Sequence, residues 1–403
     1  MYLFVAVTGF VIYRYRQTRA LTLAQFFEMR YSRRFRLFTG LLAFGAGIVN
    51  FGIIPCIGAR FMVNFLELPQ AIAIAGLATP TYLLVMATFL TISALVTAFG
   101  GQVAVLVSDC TDGMISQLFY VIVAIAILVL IGWSQSSAVL LDRPPGQSMV
   151  NPFDSFGLRD FNLWFVLMGL FTNVYGTMAW QNSHAFNASS SSPHESRMGA
   201  ILGKWRLFAS SVMVTLLAMA AVTYLHHPDF AAGAAEVNQS LAQIADPATR
   251  DQMRVPLTLS HMLPVGIKGM LCAIVLMGIL SGDGIHLHSW GSILVQDVIV
   301  PLRKKPLTPR QHLNLLRCGV AFVAVFAFCF GALFTQTEKV AMWFSVTQAI
   351  YVGGAGAAII GGLYWSRGTA AGAWAGLLTG SILSTGGIIW RQIDPASPLN
   401  GIE

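Results

Sequence analysis

Four residues capable of chemistry stand close together where the chain should hold none. From Gly278 to Asp297 it reads GILSGDGIHLHSWGSILVQD, so Ser281, Asp283, His286 and His288 interrupt an apolar segment of roughly 263–300. Polar and ionisable groups inside such a segment are costly, and by default they mark a functional site. A hydroxyl and a carboxylate there suit a cation or a proton. Asp283 has three readings: an ion ligand, a proton acceptor, or a side chain that rotates away to a polar neighbour. The His286-x-His288 pair suggests a metal only at first sight. On a helix, residues i and i+2 diverge by about 200°, whereas a metal needs its ligands to converge.

Other polar groups interrupt apolar runs in the same way. Asp109 and Asp112 are spaced i, i+3 at the start of a helix, where a carboxylate gains about 0.3–1 kcal/mol from the helix dipole, and that accounts for Asp112. Asn173, Tyr175, Thr177, Trp180 and Gln181 break the run 162–184, and Ser345, Thr347 and Gln348 precede GGAGAAIIGG. Arg60 lies near the end of its span, where a long cationic side chain snorkels toward headgroups. The five cysteines have no metal-ligand spacing and read as small hydrophobes.

The elements that must position these residues are membrane spans. The chain is 56% hydrophobic and 10% charged, against about 25% charged in a soluble domain, which excludes an ordinary globular core. Apolar runs of bilayer-crossing length are read at 37–66, 81–99, 108–133, 162–184, 205–225, 263–290, 314–335, 338–364 and 370–390, after a short first run that ends on Arg14. That makes about ten segments of one all-α integral membrane domain, 1–403. No ten-residue alternation points to a barrel. With the loop after the first segment inside, 16 Lys and Arg face the cytoplasm and 7 face outward. This bias gives the orientation and explains the net charge of +7 without nucleic acid. Residues 134–161 read as extended or turned, and FAAGAAEVNQSLAQIA (230–245) as a short surface helix.

Four separated blocks resemble the sodium:solute symporters, the family of the sodium–glucose cotransporters. They are LTLAQFFEMRYSRRFR from Leu21, GGQVAVLVSDCTDG from Gly100, the Gly278–Asp297 block, and GGLYWSRGTAAGAWAGLLTG from Gly361. Within them Thr22, Arg30-Tyr31, Ser108-Asp109, Ser281, Asp297, Trp365 and Thr369 fall on the family pattern, while Gly282 replaces a hydroxyl and Ala185-Phe186 replace a Gln-Arg pair. The resemblance implies a LeuT-type bundle of two inverted five-helix repeats with sites at the midplane. It also implies that the chain starts in the second core helix, without the first, and ends one helix after the tenth.

By the same resemblance the coupling ion, Na+ or else H+, is expected at Gly278, Ser281 and Gly282, which share one helix face, with Asp109 and Asp283 contributing. Asn173, Tyr175, Gln181, Ser345 and Gln348 are expected to line the solute site. The expected activity is cation-coupled solute symport by alternating access in a bacterial inner membrane, with no catalytic chemistry and no other cofactor. The rivals are a proton-coupled variant and a non-transporting sensor or relict scaffold of the same fold.

Overall fold

The computed structural model describes residues 2–74, 76–158, 161–181, 187–334 and 339–393. The Ala185-Phe186 substitution lies outside them. The first run forms two short helices, α1 (Tyr2–Thr8) and α2 (Ile12–Gln17), separated by a break at which Val11 takes φ 66° and its N–H meets Tyr364 Oη at 3.0 Å. Then come α3 (Leu23–Arg30), α4 (Arg33–Gly52), α5 (Ile54–Phe65), the strands β1 (Ala71–Ile74) and β2 (Leu77–Pro80), and α6 (Thr81–Leu130). After α7 (Trp133–Leu141) and α8 (Leu163–Ala179) follow α9 (Pro193–His226), α10 (Ala231–Ala242) and α11 (Pro247–Met262). The chain closes with α12 (Val265–Ile293), α13 (Pro309–Leu333), α14 (Val340–Tyr364) and α15 (Ala370–Ile393).

Local sequence explains the helix starts. Ser32, Ser192 and Thr308 each accept a hydrogen bond from the backbone N–H three residues on, and Pro193 and Pro309 occupy the first helical position, where the missing N–H costs nothing. Among the described residues seven helices, Arg33–Phe65 counted as one, are long and apolar enough to cross a membrane, and Leu163–Ala179 is a shorter apolar helix. The protein is therefore a multi-pass integral membrane protein.

The expected runs 81–99 and 108–133 form two helical halves within α6, joined at a sharp break at Gly101 with φ 61° and ψ −157°, a region open in practice only to glycine. Along α12 the contacts of α6 rise and then return. Ser93 donates to the Leu280 carbonyl, Gly284 packs between Thr97 and Val105, and Ser281 meets Asp109. The chain thus turns back on itself at Gly101, where the helical backbone geometry is broken. Two local expectations need correction. Residues 133–141 are helical, not extended. The bundle is not purely helical either, because AIAI and LATP pair as an antiparallel hairpin between α5 and α6. The surface helix expected within 230–245 forms at Ala231–Ala242, and a second, Pro247–Met262, follows it.

The core packs where small residues let helices close. A Cβ at Gly47 on α4 would fall 2.3 Å from the fully buried Trp290 ring of α12, so only glycine admits the indole there. Tyr15, Phe27, Phe35 and Tyr351 build one buried cluster around α2, α3, α4 and α14, and Phe51, Met86, Leu287 and Trp290 build a second.

Candidate functional site

α12 presents two chemically different faces. Gly278, Ser281, Gly282 and Ile285 form one stripe. A Cβ at Gly278 or Gly282 would meet nothing within 4 Å, and Ile285 lines a cavity of about 820 Å³. Ile279, Asp283, His286 and Trp290 form the other stripe, which faces α4 and α5. Ile279 reaches to 3.1 Å of the Cβ position at Gly58, His286 stacks on Phe51 with centroids 4.9 Å apart, and Trp290 fills the space at Gly47. Asp283 and Ser281 are two residues apart and so about 200° around the helix. Asp283 does not converge on the Ser281 site.

Ser281 and Asp109 are brought together: the Ser281 hydroxyl donates to Asp109 Oδ1 at 3.2 Å, across from α12 to the second half of α6. The Arg206 guanidinium of α9 lies against both acidic residues of that helix, 3.3 Å from Asp109 and 3.7 Å from Asp112. Asp112 also accepts from Ser116 at 2.6 Å. Two carboxylates therefore share one cation, leaving a net negative charge beside a free hydroxyl oxygen. That is a setting for a small cation, and Arg206 competes for it. Sequence reasoning counted Arg206 only as a loop charge. Its place in an otherwise apolar stretch was the signal that it has a partner.

Asp283 is 1% exposed, and neither of its carboxylate oxygens has a hydrogen-bond partner. The Thr97 hydroxyl, which packs on neighbouring Gly284, also has none. His286 is held by the Gly282 carbonyl at 2.8 Å and by Phe51. Among the described residues no three His, Cys, Asp or Glu side chains cluster to hold a metal.

The cavity lies between α8, α9, α12 and α14. Asn173, Thr177 and Trp180, at i, i+4 and i+7 of the α8 region, line it together with Gln348, Lys204 and Glu195. Of the five expected solute-lining residues, only Asn173 and Gln348 reach it. Tyr175, two residues from Asn173, points the other way and fills the space at Gly356, stacked on Phe171. Gln181 is buried and donates to Tyr351 Oη at 3.3 Å, and Ser345 donates back to the Ala341 carbonyl of its own helix at 3.0 Å. Thr347 instead accepts from Asn50 at 2.7 Å, which ties α14 to α4. Arg60 stacks over Tyr82, 4.8 Å from the ring centroid, and reaches Thr249 at 3.2 Å.

A second buried carboxylate carries a network that sequence reasoning matched to the family pattern without giving it a role. Asp297 is 0% exposed and lies in a widened π-helical turn, Leu294–Ile299, at the end of α12. Thr22, the N-cap of α3, donates to it at 2.6 Å, and Arg36 donates at 3.3 Å while also pairing with Glu28 at 2.6 Å. Arg36 further donates to the Gln296 carbonyl at 2.8 Å. The short helix α3 is thus pinned to the end of α12.

An open cavity between apolar spanning helices, with a few polar groups in its lining and a carboxylate–hydroxyl pair on an adjacent helix face, is an arrangement that suits a membrane transporter. The chain belongs to the sodium:solute symporter family, whose sequence profile matches residues 1–380. Among solved structures it is similar to a Na+-coupled sialic acid symporter in a substrate-bound outward-open state. The TM-score is 0.68 at 16% identity, over 95% of this chain and 82% of that one. At that identity the likeness establishes the fold, a LeuT-type bundle. A search of curated proteins returns no match.

Proposed function

We propose that the protein couples the entry of a small solute to sodium across a bacterial inner membrane by alternating access, with the arginine-rich end of the bundle inside. The observation that carries this reading is the Ser281–Asp109 pair at 3.2 Å, on the same face of α12 as the cavity-lining Ile285. Sodium takes oxygen ligands, and here Ser281 Oγ and Asp109 Oδ1 offer two from different helices, while Gly278 and Gly282 leave that face open. Without the ion, Arg206 neutralises Asp109. With it, Arg206 is free to withdraw toward Asp112, so ion occupancy changes how α9 meets α6. A ligand shifts such an equilibrium only by its differential affinity for the two states, and the exchange of Arg206 for a cation supplies that difference. The solute binds in the cavity, against Asn173 and Gln348.

Proton coupling is favoured by one separate observation, the partnerless Asp283 on the opposite face of α12. A carboxylate placed so has no counter-ion to hold and would exchange a proton, not sodium.

The test is sodium binding followed by tryptophan fluorescence, since Trp180 lines the cavity and packs edge to face with Trp290 at 5.2 Å, which joins the cavity to the buried face of α12. It is run alongside sodium-gradient-driven uptake of a panel of sugars, amino acids and carboxylates in proteoliposomes. Ser281→Ala and Asp109→Asn should each weaken sodium binding at least tenfold and Asp283→Asn should leave it unchanged. Sodium binding that persists in both site variants would refute the assignment.

A further inference from the structure

Among the described residues no further strand pairs with the β1–β2 hairpin, and its two faces differ in kind. The register pairs Ile72 with Thr79 and Ile74 with Leu77. Side chains alternate along a strand, so Ile72, Ile74 and Leu77 share one face with Thr79, while Ala71, Ala73, Ala78 and Pro80 occupy the other. Ile72, Ile74 and Leu77 are 41%, 44% and 74% exposed, and Leu66 and Leu68 at the base continue the strip at 39% and 37%. From Leu68 to Ser108 the chain contains no Asp, Glu, Lys, Arg or His. A two-stranded hairpin with nothing against it is marginal in water, and a long exposed apolar edge invites aggregation. Among the described residues nothing covers this face.

We infer that the cover is lipid: the hairpin lies in the headgroup layer at the end of the bundle opposite the arginine-rich one, with Ile72, Ile74 and Leu77 directed into the acyl chains. Continuity with the spans fixes the place. The hairpin springs from Phe65, the end of α5, and returns at Thr81, the start of α6, and both helices belong to membrane-spanning segments. Its base is closed where the Thr81 N–H donates to the Gln70 carbonyl at 3.0 Å and the Thr81 hydroxyl to Pro69. It is anchored alongside by Glu67, which accepts from Ser260 and pairs with Lys268 at 3.5 Å. Each strand of four residues spans about 14 Å, enough to carry side chains from the span ends along the surface of the bilayer. The depth follows from the backbone. Both strands are edges, and an open sheet edge is not tolerated in the hydrocarbon, whereas the headgroup layer supplies water and phosphate oxygens. Apolar side chains therefore point inward from a backbone held at the interface. The small face, which buries little, is left toward water.

Leu77→Cys, carrying an environment-sensitive nitrobenzoxadiazole label, tests this in proteoliposomes of phosphatidylcholine and phosphatidylglycerol, with identically treated unsubstituted protein as the blank for native cysteines. The label should emit in the blue-shifted range, be quenched several-fold more by lipids with a nitroxide high on the acyl chain than by lipids with one near its end, and resist aqueous iodide. Ala73→Cys, on the small face, should instead be quenched by iodide. Ile74→Cys repeats the measurement should the first variant fail to fold. Water-like emission with iodide quenching at position 77 would overturn the proposal. So would blue-shifted emission insensitive to either nitroxide, which would mean that protein covers the face, either a second copy or the hairpin folded over the bundle. The readout needs no solute or sodium, so it stands or falls independently of the symport reading.

Discussion

Asp283 and Asp297 lie fourteen residues apart along one helix and are both buried, yet only one is provided for. Asp297 accepts from Thr22 and from Arg36. Asp283 accepts from nothing. Burying a charge is costly unless it is paired and hydrogen-bonded. The difference separates a carboxylate committed to architecture, which joins α3 to the end of α12, from one that no structural requirement explains and that is free for a functional role. The Ser281–Asp109 pair is intermediate: its carboxylate has a counter-ion, but one about a third exposed and able to leave.

This contrast can be broken by mutation. The largest effect should come from Asp297→Ala. It leaves the Thr22 hydroxyl without its acceptor and Arg36 with Glu28 as its one remaining carboxylate, and should cost up to about 3–5 kcal/mol, the range for removal of one partner from a buried pair, read as unfolding stability in detergent. Next is Gly47→Ala. Its new methyl has no room beside Trp290 and should cost about 1–3 kcal/mol by overpacking; a neutral result would mean that the packing around the Asp283 face is loose enough to admit a partner. Asp283→Leu should be neutral or stabilise by up to about 1–3 kcal/mol, because it removes unsatisfied buried oxygens. If it destabilised as much as Asp297→Ala, the two carboxylates would be alike after all.

Arg206→Gln should tighten sodium binding by no more than about fivefold, since an ion pair about a third exposed is worth at most about 1 kcal/mol; weaker binding would show that Arg206 supports the site instead of competing for it. The smallest effect is at Glu67, outside the spans. The Ser260 hydroxyl, and then Lys268, hold its carboxyl below the usual glutamate value. A depressed acid stabilises the fold above its unfolded pKa and loses that contribution as pH falls through the folded value, so Ser260→Ala should flatten the stability profile only on the acid side of about pH 4.3.

How much of this the sequence reveals depends on the range of the interaction. The membrane class is compositional and could be read directly, whereas Gly278, Ser281, Gly282 and Asp109 were singled out by the family resemblance. Tyr175 and Ser345 were placed in the cavity because they are polar within apolar runs, but the face a side chain takes is fixed by packing. Tyr175 goes where Gly356 leaves a hole. Partnerships across the chain leave no local trace: nothing near Thr22 announces Asp297, 275 positions on. The hairpin was missed for a different reason. AIAIAGLATP is apolar on both faces, so it shows no alternation of polar and apolar residues and reads as the fringe of a span. Pro247–Met262 is missed because it is too polar to register as a span and contains Pro256.

The bend in α6 bears on how the protein is made. Fifty residues of unbroken helix would extend about 75 Å at 1.5 Å per residue, well over twice the hydrocarbon thickness of about 30 Å. Between Leu68 and Ser108 no charged residue signals a stop to the machinery that inserts the chain. The reversal at Gly101 must therefore be made as the segment enters the bilayer, and it delivers Ser93, Thr97 and Asp109 together as one hairpin. The helix that carries Ser281 is synthesised more than a hundred and fifty residues later, and it meets a receiving surface that is already built.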